Sequence, residues 1–342
     1  MASRYGRPVL HLRVIAPADC TERTRSLLTG HHGVTNVVVL PGVAVRPAGD
    51  LVLADVAREA ADVVLGELRG LGLSERGSIS VDEVDLTLSA AAERAEKLAP
   101  GEGSDAVVWP QLAAKVRQEA TISATYLVFF AVATVLAGIA VLLDSAILVV
   151  GAMIVGPEFG AVAGVCAGLV LGRAVVVGRS LVALAVGFAV GIAATVAATW
   201  LLAALGLIGS GQLFRPRPQT GFIYQPDALS FVVAFLAGIA GMLALTSARS
   251  GALVGVLVSV TTIPAAGDAA VALAFALSAD PARPRGDYLH QAASSAGQLL
   301  LNLSGLALAG ALTLAFQRWV WPWVARRGPG AATRAEDRRA AA

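Results

Sequence analysis

Charged side chains are scarce in this sequence of 342 residues, where Asp, Glu, Lys and Arg make up 15% of the chain. Soluble globular domains carry roughly 25%. The deficit is uneven, because residues 1–120 hold an ordinary mixture of charges while residues 121–315 contain long runs with none. Such a composition excludes an ordinary soluble protein and indicates that the second region lies in an apolar solvent. We therefore expect the main domain boundary near Ala120.

Cysteine, histidine and aromatic residues are also few. Cys20 and Cys166 lie in regions that should not meet, so we expect neither a disulfide framework nor a thiolate metal site. None of the four histidines falls in an apolar run, and the sequence lacks a Walker loop, a paired His/Glu metal motif and a nucleophile elbow. A net charge of only +2 argues against nucleic acid as a partner. We expect no enzymatic activity, no cofactor and no metal.

Residues 1–89 predict a small α/β domain. A β-branched run that ends at Pro41-Gly42 and a second strand after it are typical of a hairpin, and helical spacing of apolar residues follows. The resulting order is β-α-β-β-α-β, which is the ferredoxin-like order. No secretory signal precedes the domain, so we expect it to stay in the cytoplasm as a regulatory or assembly domain. The predicted elements cover residues 9–16, 19–30, 34–40, 50–56, 57–71 and 78–88.

Residues 90–120 connect this domain to the apolar region through a short helix, a Pro/Gly-containing linker at 100–104 and an amphipathic helix. The last of these has Val108, Leu112 and Val116 on one side and charged residues available to the other. Two interpretations stay open. The helix lies at the membrane surface, or it is a simple lead-in to the first span.

Residues 121–317 predict a polytopic α-helical membrane domain with about six transmembrane helices, since a span needs about 20 predominantly apolar residues. Each half has the order simple span, interrupted span, simple span, and the interruptions begin at Pro157 and Pro264. Three spans in each half would give the halves opposite orientations, as in the 3+3 inverted repeats of many secondary transporters. The predicted spans cover residues 122–143, 145–172, 181–207, 229–245, 251–277 and 293–316.

The positions of lysine and arginine predict the orientation. If the N-terminus is inside, the inner segments hold more of these residues than the outer loops, which carry Arg215, Arg217, Arg283 and Arg285. The bias favours a multi-pass protein of the cell (inner) membrane with both termini in the cytoplasm. Residues 318–342 are basic, and we expect them to form a disordered cytoplasmic tail.

Two carboxylates fall within apolar runs and are candidate functional residues, because an ionisable group is costly in hydrocarbon. Glu158 and Asp268 each follow a proline in an interrupted span. Freed backbone carbonyls beside a carboxylate offer hard oxygen ligands to a cation, or a site that carries protons. The candidate ion or solute site comprises Pro157, Glu158, Thr261, Thr262, Pro264, Asp268, Gln298 and Asn302.

A structural interpretation of these carboxylates stays open beside the functional one. Glu158 and Asp268 would then lie nearer an interface, or pair with Arg173 or Arg249 and hold the bundle together. Asp144 is predicted to lie in a loop between two spans.

Glycines at four-residue spacing line one face of the second predicted span. Such a face lets a neighbouring backbone approach closely, so helix packing is the expected use, with a sliding or oligomer-forming surface as the alternative. The glycines are Gly160, Gly164, Gly168 and Gly172.

The segment Asp144 to Gly160, which reads DSAILVVGAMIVGPEFG, resembles the bacterial and archaeal membrane proteins of the domain of unknown function family 389. This family is also called the uncharacterised hydrophobic domain family. The stretch 12–17 together with 34–42 is similar to the soluble part of some members. The resemblance implies a membrane protein, and it implies neither an activity nor catalytic residues, since none are assigned to the family.

We expect an ion or small-solute transporter or channel that its cytoplasmic domain regulates or assembles. The alternative is a non-transporting membrane scaffold or sensor whose soluble domain binds a ligand or partner. Expected partners are the lipid bilayer, an ion or small molecule, and a second copy of the chain, because the glycine face and the small α/β domain favour a homo-oligomer. The sequence does not identify the substrate, the direction of transport or the ligand of the soluble domain.

Overall fold

The computed structural model describes residues 9–84, 87, 89–98, 106–247, 261–278 and 282–327. The predicted linker at 100–104, the start of the predicted fifth span at 251–260 and the tail beyond residue 327 lie outside the described residues. The chain forms two compact units. The N-terminal unit contains residues 1–112, 246–248 and 316–342, and the helical unit contains residues 113–245 and 249–315.

The N-terminal unit contains a four-stranded antiparallel sheet with the strand order β2-β3-β1-β4. The element order β-α-β-β-α-β is the predicted one, with one additional helical turn before the last strand. A further helix, α4, follows the sheet. The elements are β1 (Val9–Ala16), α1 (Ala18–Gly30), β2 (Val34–Val45), β3 (Ala48–Ala57), α2 (Arg58–Gly70), α3 (Leu73–Arg76), β4 (Ser78–Val84) and α4 (Ala90–Leu98).

The core of the N-terminal unit lies where β1 faces the helices. β1 has period-two alternation, which points Leu10, Leu12 and Val14 toward one side of the sheet. These side chains pack with Val64 and Leu68, which helical spacing places on one face of α2. Burying each such side chain stabilises the fold by roughly 1.5–3 kcal/mol. The two apolar periodicities therefore explain why this order of elements folds.

β2 continues past Pro41 and Gly42, which were predicted to end it. Gly42 adopts φ 66°, a conformation that glycine reaches without steric cost, and its N–H donates to Asp50 Oδ1 at 2.8 Å. The pairing of β2 with β3 shifts register around this point, as in a β-bulge. The hairpin therefore turns at Arg46 and Pro47 instead.

The described part of the helical unit is built mainly from apolar helices, and its first and last helices extend into residues that belong to the N-terminal unit. Two short 3₁₀ helices, Ser210–Phe214 and Gly221–Tyr224, lie in the long polar loop between α9 and α10. The helices are α5 (Trp109–Glu119), α6 (Ala124–Leu142), α7 (Ala146–Val155), α8 (Glu158–Val170), α9 (Ala174–Ala204), α10 (Ala228–Thr246), α11 (Thr262–Ala276) and α12 (Arg285–Arg327).

Over the described residues, α6, α9, α10 and α12 are long and apolar enough to cross a membrane. α7 and α8 pass the same test together but are bent by 53°, so they form a fifth, broken span or a re-entrant loop. Pro157 lies at the bend and has no N–H to continue the α7 ladder. α11 is apolar but has 15 residues. These helices make the chain a membrane protein with four or five candidate spans, where the sequence predicted about six.

α11 is central in the helical unit, because nearly all of its side chains are buried. Two glycines allow α11 to pack this closely against its neighbouring helices. A Cβ on Gly267 of α11 would lie 2.7 Å from the backbone N of Gly138 on α6. A Cβ on Gly138 would in turn lie 2.9 Å from Thr195 Cγ2 on α9. The three helices therefore pack at close backbone distances, as small residues permit in membrane proteins.

Candidate functional site

One face of α12 carries four buried polar side chains within an otherwise apolar segment. They follow one another at intervals of four, three and four residues, which places them on the same side of the helix. We call this face the polar stripe. Its members are Gln291, Ser295, Gln298 and Asn302.

Asp268 on α11 is fully buried, with 0% of its surface exposed, and both of its carboxylate oxygens have partners. Arg217 Nη1 donates to Oδ1 at 2.6 Å, and Gln291 Nε2 and Ser295 Oγ donate to Oδ2 at 2.7 and 2.5 Å. Arg217 also lies over the ring of Tyr224, with its Cζ 4.4 Å from the ring centroid. The pair is thus neutral and hydrogen bonded, which is what a buried ion pair requires.

Glu158 is 4% exposed and is the first residue of α8. Thr262 Oγ1 donates to Glu158 Oε1 at 2.7 Å, and Thr262 is the first residue of α11. Two short apolar helices therefore present their N-termini at one carboxylate, and their positive dipole ends stabilise a negative charge there. Glu158 Oε2 is buried and has no hydrogen-bond partner in the described part of the chain. One acceptor at the helix break is therefore left open.

The polar stripe connects these two carboxylates. Asn302 Nδ2 donates to Thr261 Oγ1 at 2.8 Å, while the stripe residues near its other end bind Asp268. Thr261, the N-cap of α11, is seven residues from Asp268, and Ser295 is seven residues from Asn302 on α12, so the helices run antiparallel over a length of roughly 10 Å.

Polar groups that are buried, or partly buried in the case of Thr261, therefore lie between the two carboxylates, and we call this set the polar track. Gln298 lies within it, and its Oε1 is buried without a partner among the described residues. The track consists of Arg217, Asp268, Gln291, Ser295, Gln298, Asn302, Thr261, Thr262 and Glu158.

The chemistry of the track is defined by its two unpartnered atoms. Both are oxygens that accept hydrogen bonds, and buried acceptors without donors are rare in folded proteins. Their missing partner is a donor, a proton or a cation, because hard cations prefer carboxylate and amide oxygens. The Glu158 end therefore has an acceptor without a described partner, whereas both oxygens of Asp268 are already hydrogen bonded.

The structure brings several of the predicted site residues together. Glu158 contacts Thr262, and Asn302 contacts Thr261. Asp268 lies in the second cluster at the other end of the track. Gln298 lies between the two clusters on the polar stripe.

Pro157 and Pro264 have different positions in their helices. Pro157 is the N-cap of α8 and lies at the bend after α7. Pro264 was predicted to interrupt a span, but it is the third residue of α11, in the first turn, where a backbone N–H has no helical partner and a proline therefore removes no hydrogen bond. Asp268 consequently lies inside a continuous helix and not in a break. The helix begins before Pro264, at Thr262.

The structural interpretation of the two carboxylates named Arg173 or Arg249 as possible partners. Arg249 lies outside the described residues, and the observed partner of Asp268 is Arg217 from the long loop between α9 and α10. That loop is held in place by Asp144, whose Oδ1 accepts from the N–H and the hydroxyl of Thr220, each at 2.9 Å. Asp144 is thus a loop residue, as predicted, and it anchors the loop that supplies Arg217.

Sequence reasoning missed three residues of the track. Gln291 and Ser295 could have been found, because the spacing from 291 to 302 is visible as a polar stripe in an apolar run. No sequence signal identified Arg217, which was counted among the arginines of the outer loops.

Three of the four predicted packing glycines lie at close helix contacts inside the helical unit, facing α5 and α9. A Cβ on any of them would meet a side chain of a neighbouring helix: Glu119 for Gly160, Ser180 for Gly164 and Val177 for Gly168. Gly172 does not extend this face. It has φ 67° just after α8 ends, and a Cβ there would have nothing within 4 Å.

Comparison with protein families matches residues 153–308 to the family described as Domain of unknown function (DUF389). This confirms the family that the segment from Asp144 to Gly160 resembles. The match runs from the end of α7 into α12, so it includes both carboxylates and the whole polar track. Neither the curated proteins nor the solved structures give a match.

Proposed function

We propose that this membrane protein, whose residues 153–308 form a DUF389 domain, transports an ion or a small solute across the bilayer. Glu158 is the group that exchanges a proton or a small cation. The observation that carries the proposal is Glu158 Oε2, a buried carboxylate oxygen without a partner among the described residues, at a break between two apolar helices. A carboxylate kept at such a position is costly unless it serves a function.

The surroundings of Glu158 support this role. The N-termini of α8 and α11 offset its negative charge, so the carboxylate does not need a permanent cation. The neutral side chains of the polar stripe provide hydrogen-bonding groups to a species that leaves Glu158. Discontinuous helices that meet near the middle of the membrane are also how many secondary transporters build their sites.

The same arrangement supports six spans in a 3+3 inverted repeat. One helix break precedes Glu158 in the first half, and the start of α11 at Thr262 is its counterpart in the second half. An inverted repeat brings two such half-helices toward each other from opposite sides of the membrane. We also propose that the protein forms a homo-oligomer and that it has no catalytic activity.

We place the protein in the cell membrane with both termini in the cytoplasm. Arg217 was counted as a positive charge of an outer loop, but Asp268 neutralises it within the helical unit. Because Arg217 is also buried in the helical unit and is not a solvated loop charge, removing it from that count increases the excess of Lys and Arg on the cytoplasmic side. The ferredoxin-like N-terminal domain would then regulate or assemble the transporter from the cytoplasm.

The rival function is a membrane scaffold or sensor that transports nothing. The Asp268 cluster favours it, because every oxygen of that carboxylate is satisfied and the ion pair is fully enclosed. A cluster of this kind holds the helices together. The soluble domain would then carry the function by binding a ligand or partner.

Flux through proteoliposomes distinguishes the two functions. We expect purified protein to move protons, Na⁺ or K⁺ down an imposed gradient, and Glu158→Gln to lower that flux by about tenfold or more, since an amide neither releases a proton nor supplies a negative charge to a cation. Asp287→Asn is the matched control, because Asp287 is an exposed carboxylate at the start of α12. It should leave the flux unchanged.

Two results would favour the scaffold. One is that the wild-type protein moves none of these ions, and the other is that Glu158→Gln moves them as fast as wild type. Thermal unfolding of both variants in detergent accompanies the assay. A lost flux supports Glu158 as the exchanging group only if the Glu158→Gln protein unfolds at the same temperature as wild type.

A further inference from the structure

A groove with a volume of about 940 Å³ lies in the helical unit, between the end of α5 and the start of α9. Three arginines line it: Arg117 on α5, Arg173 just before α9, and Arg179 in the second turn of α9. All three are exposed, and none of their guanidinium groups has an ion pair or a hydrogen bond in the part of the chain that the structure describes. The described lining contains no carboxylate. The groove therefore holds three positive charges that no described residue of the helical unit pairs with.

The same groove has an apolar wall. Val175 is 68% exposed and Val182 is 54% exposed, and both line the groove beside Arg179. Their spacing of four and three residues puts these three side chains on one face of α9. Ile122 adds another exposed apolar side chain from the segment before α6. The groove is thus amphiphilic along the axis of α9.

The groove lies at the level where apolar helices begin. α6 starts at Ala124 and α9 at Ala174, and both are candidate spans. Arginines at the ends of spans lie among lipid headgroups, where a guanidinium binds a phosphate through two parallel hydrogen bonds. Val182, which lies about one turn farther along α9 than Arg179, would lie beside acyl chains, and Val175 lies on the same face in the first turn of α9.

We propose that this groove binds an anionic phospholipid, with its phosphate between Arg173 and Arg179 and an acyl chain along Val175 and Val182. The ligand is a lipid and not free phosphate, because the exposed valines contribute to binding only if the ligand has an apolar part. The charge selects anionic over zwitterionic headgroups, since three arginines share one groove without a counter-charge. This lipid site does not depend on whether the protein transports anything.

Native mass spectrometry of the full-length protein in neutral detergent tests the site, with phosphatidylglycerol and phosphatidylcholine as probes. We expect phosphatidylglycerol to bind more tightly, and Arg173→Gln with Arg179→Gln to lower its affinity by roughly tenfold or more. The matched control replaces two exposed arginines outside the groove, Arg215→Gln with Arg285→Gln, and should keep the wild-type affinity.

A second variant separates lipid from phosphate and does not alter the charge. Val175→Thr with Val182→Thr should weaken phosphatidylglycerol binding and leave the binding of inorganic phosphate as it is in wild type. The proposal is overturned if the arginine variant binds phosphatidylglycerol as wild type does. It is equally overturned if phosphatidylcholine binds as tightly, or if inorganic phosphate displaces the lipid at matched concentration.

Discussion

Replacing Asp268 with asparagine should destabilise the helical unit by about 3–5 kcal/mol, because it leaves a buried guanidinium without its counter-charge. Asp268 is fully buried, and Arg217 Nη1 lies 2.6 Å from its Oδ1. Asparagine has nearly the same shape, so the loss reports the charge and not a cavity. Unfolding of the purified protein in mixed micelles, followed by circular dichroism, measures the change.

A double-mutant cycle tests whether the pair is responsible. Arg217→Gln should cost a similar amount, and Asp268→Asn with Arg217→Gln should cost clearly less than the sum of the two single changes. Asp287→Asn removes an exposed carboxylate from α12 and should leave the stability within about 0.5 kcal/mol of wild type. Additive single effects would mean that Arg217 and Asp268 do not stabilise the unit as a pair.

The organisation of the N-terminal unit follows from local patterns. β1 alternates with period two and α2 has helical spacing, and each element buries its apolar side in one core. The end of β2 could not be predicted, since Pro41 and Gly42 usually terminate a strand. Here a bulge and the hydrogen bond from Gly42 N to Asp50 carry the strand onward. That contact joins residues eight positions apart and depends on the hairpin being formed already.

Apolar runs located the membrane helices but not all of their ends. A hydropathy pattern treats the polar segment between α9 and α10 as an outer loop, yet Asp144 fixes this loop at Thr220 and Arg217 reaches Asp268. Arg217 and Asp268 are 51 residues apart, so their pairing is a property of the packed bundle. No short segment of the sequence contains both residues, so the pairing cannot be predicted from a local pattern.

The candidate site was predictable where a polar group interrupts an apolar run. Glu158, Thr262 and Asn302 stand out for this reason, and the structure places each of them on the polar track. Pro264 was misread, because a proline in the first turn begins a helix as readily as a proline in the interior breaks one. The sequence also could not show that Glu158 Oε2 lacks a partner, since that requires the coordinates of every neighbour.

Replacing Gly267 with alanine should destabilise the helical unit by about 1–3 kcal/mol through overpacking. The added methyl group would lie 2.7 Å from the backbone N of Gly138 and 2.8 Å from Ala137 Cβ. Relief requires α6 and α11 to separate, because a backbone atom has no alternative rotamer. Since α11 carries both Thr262 and Asp268, the same shift should also lower any flux that depends on Glu158.

Gly151→Ala is the matched control for this change. Gly151 lies in α7, another short apolar helix, and a Cβ there would meet nothing within 4 Å. Alanine is a better helix former than glycine, so this variant should be as stable as wild type or more stable by up to about 1 kcal/mol. Both substitutions add one methyl group to one helix, and thermal unfolding in the same detergent compares them directly. Equal stability of the two variants would mean that α6 and α11 do not approach as closely as Gly138 and Gly267 indicate. The position of α11 along the polar track would then be set by its hydrogen bonds alone.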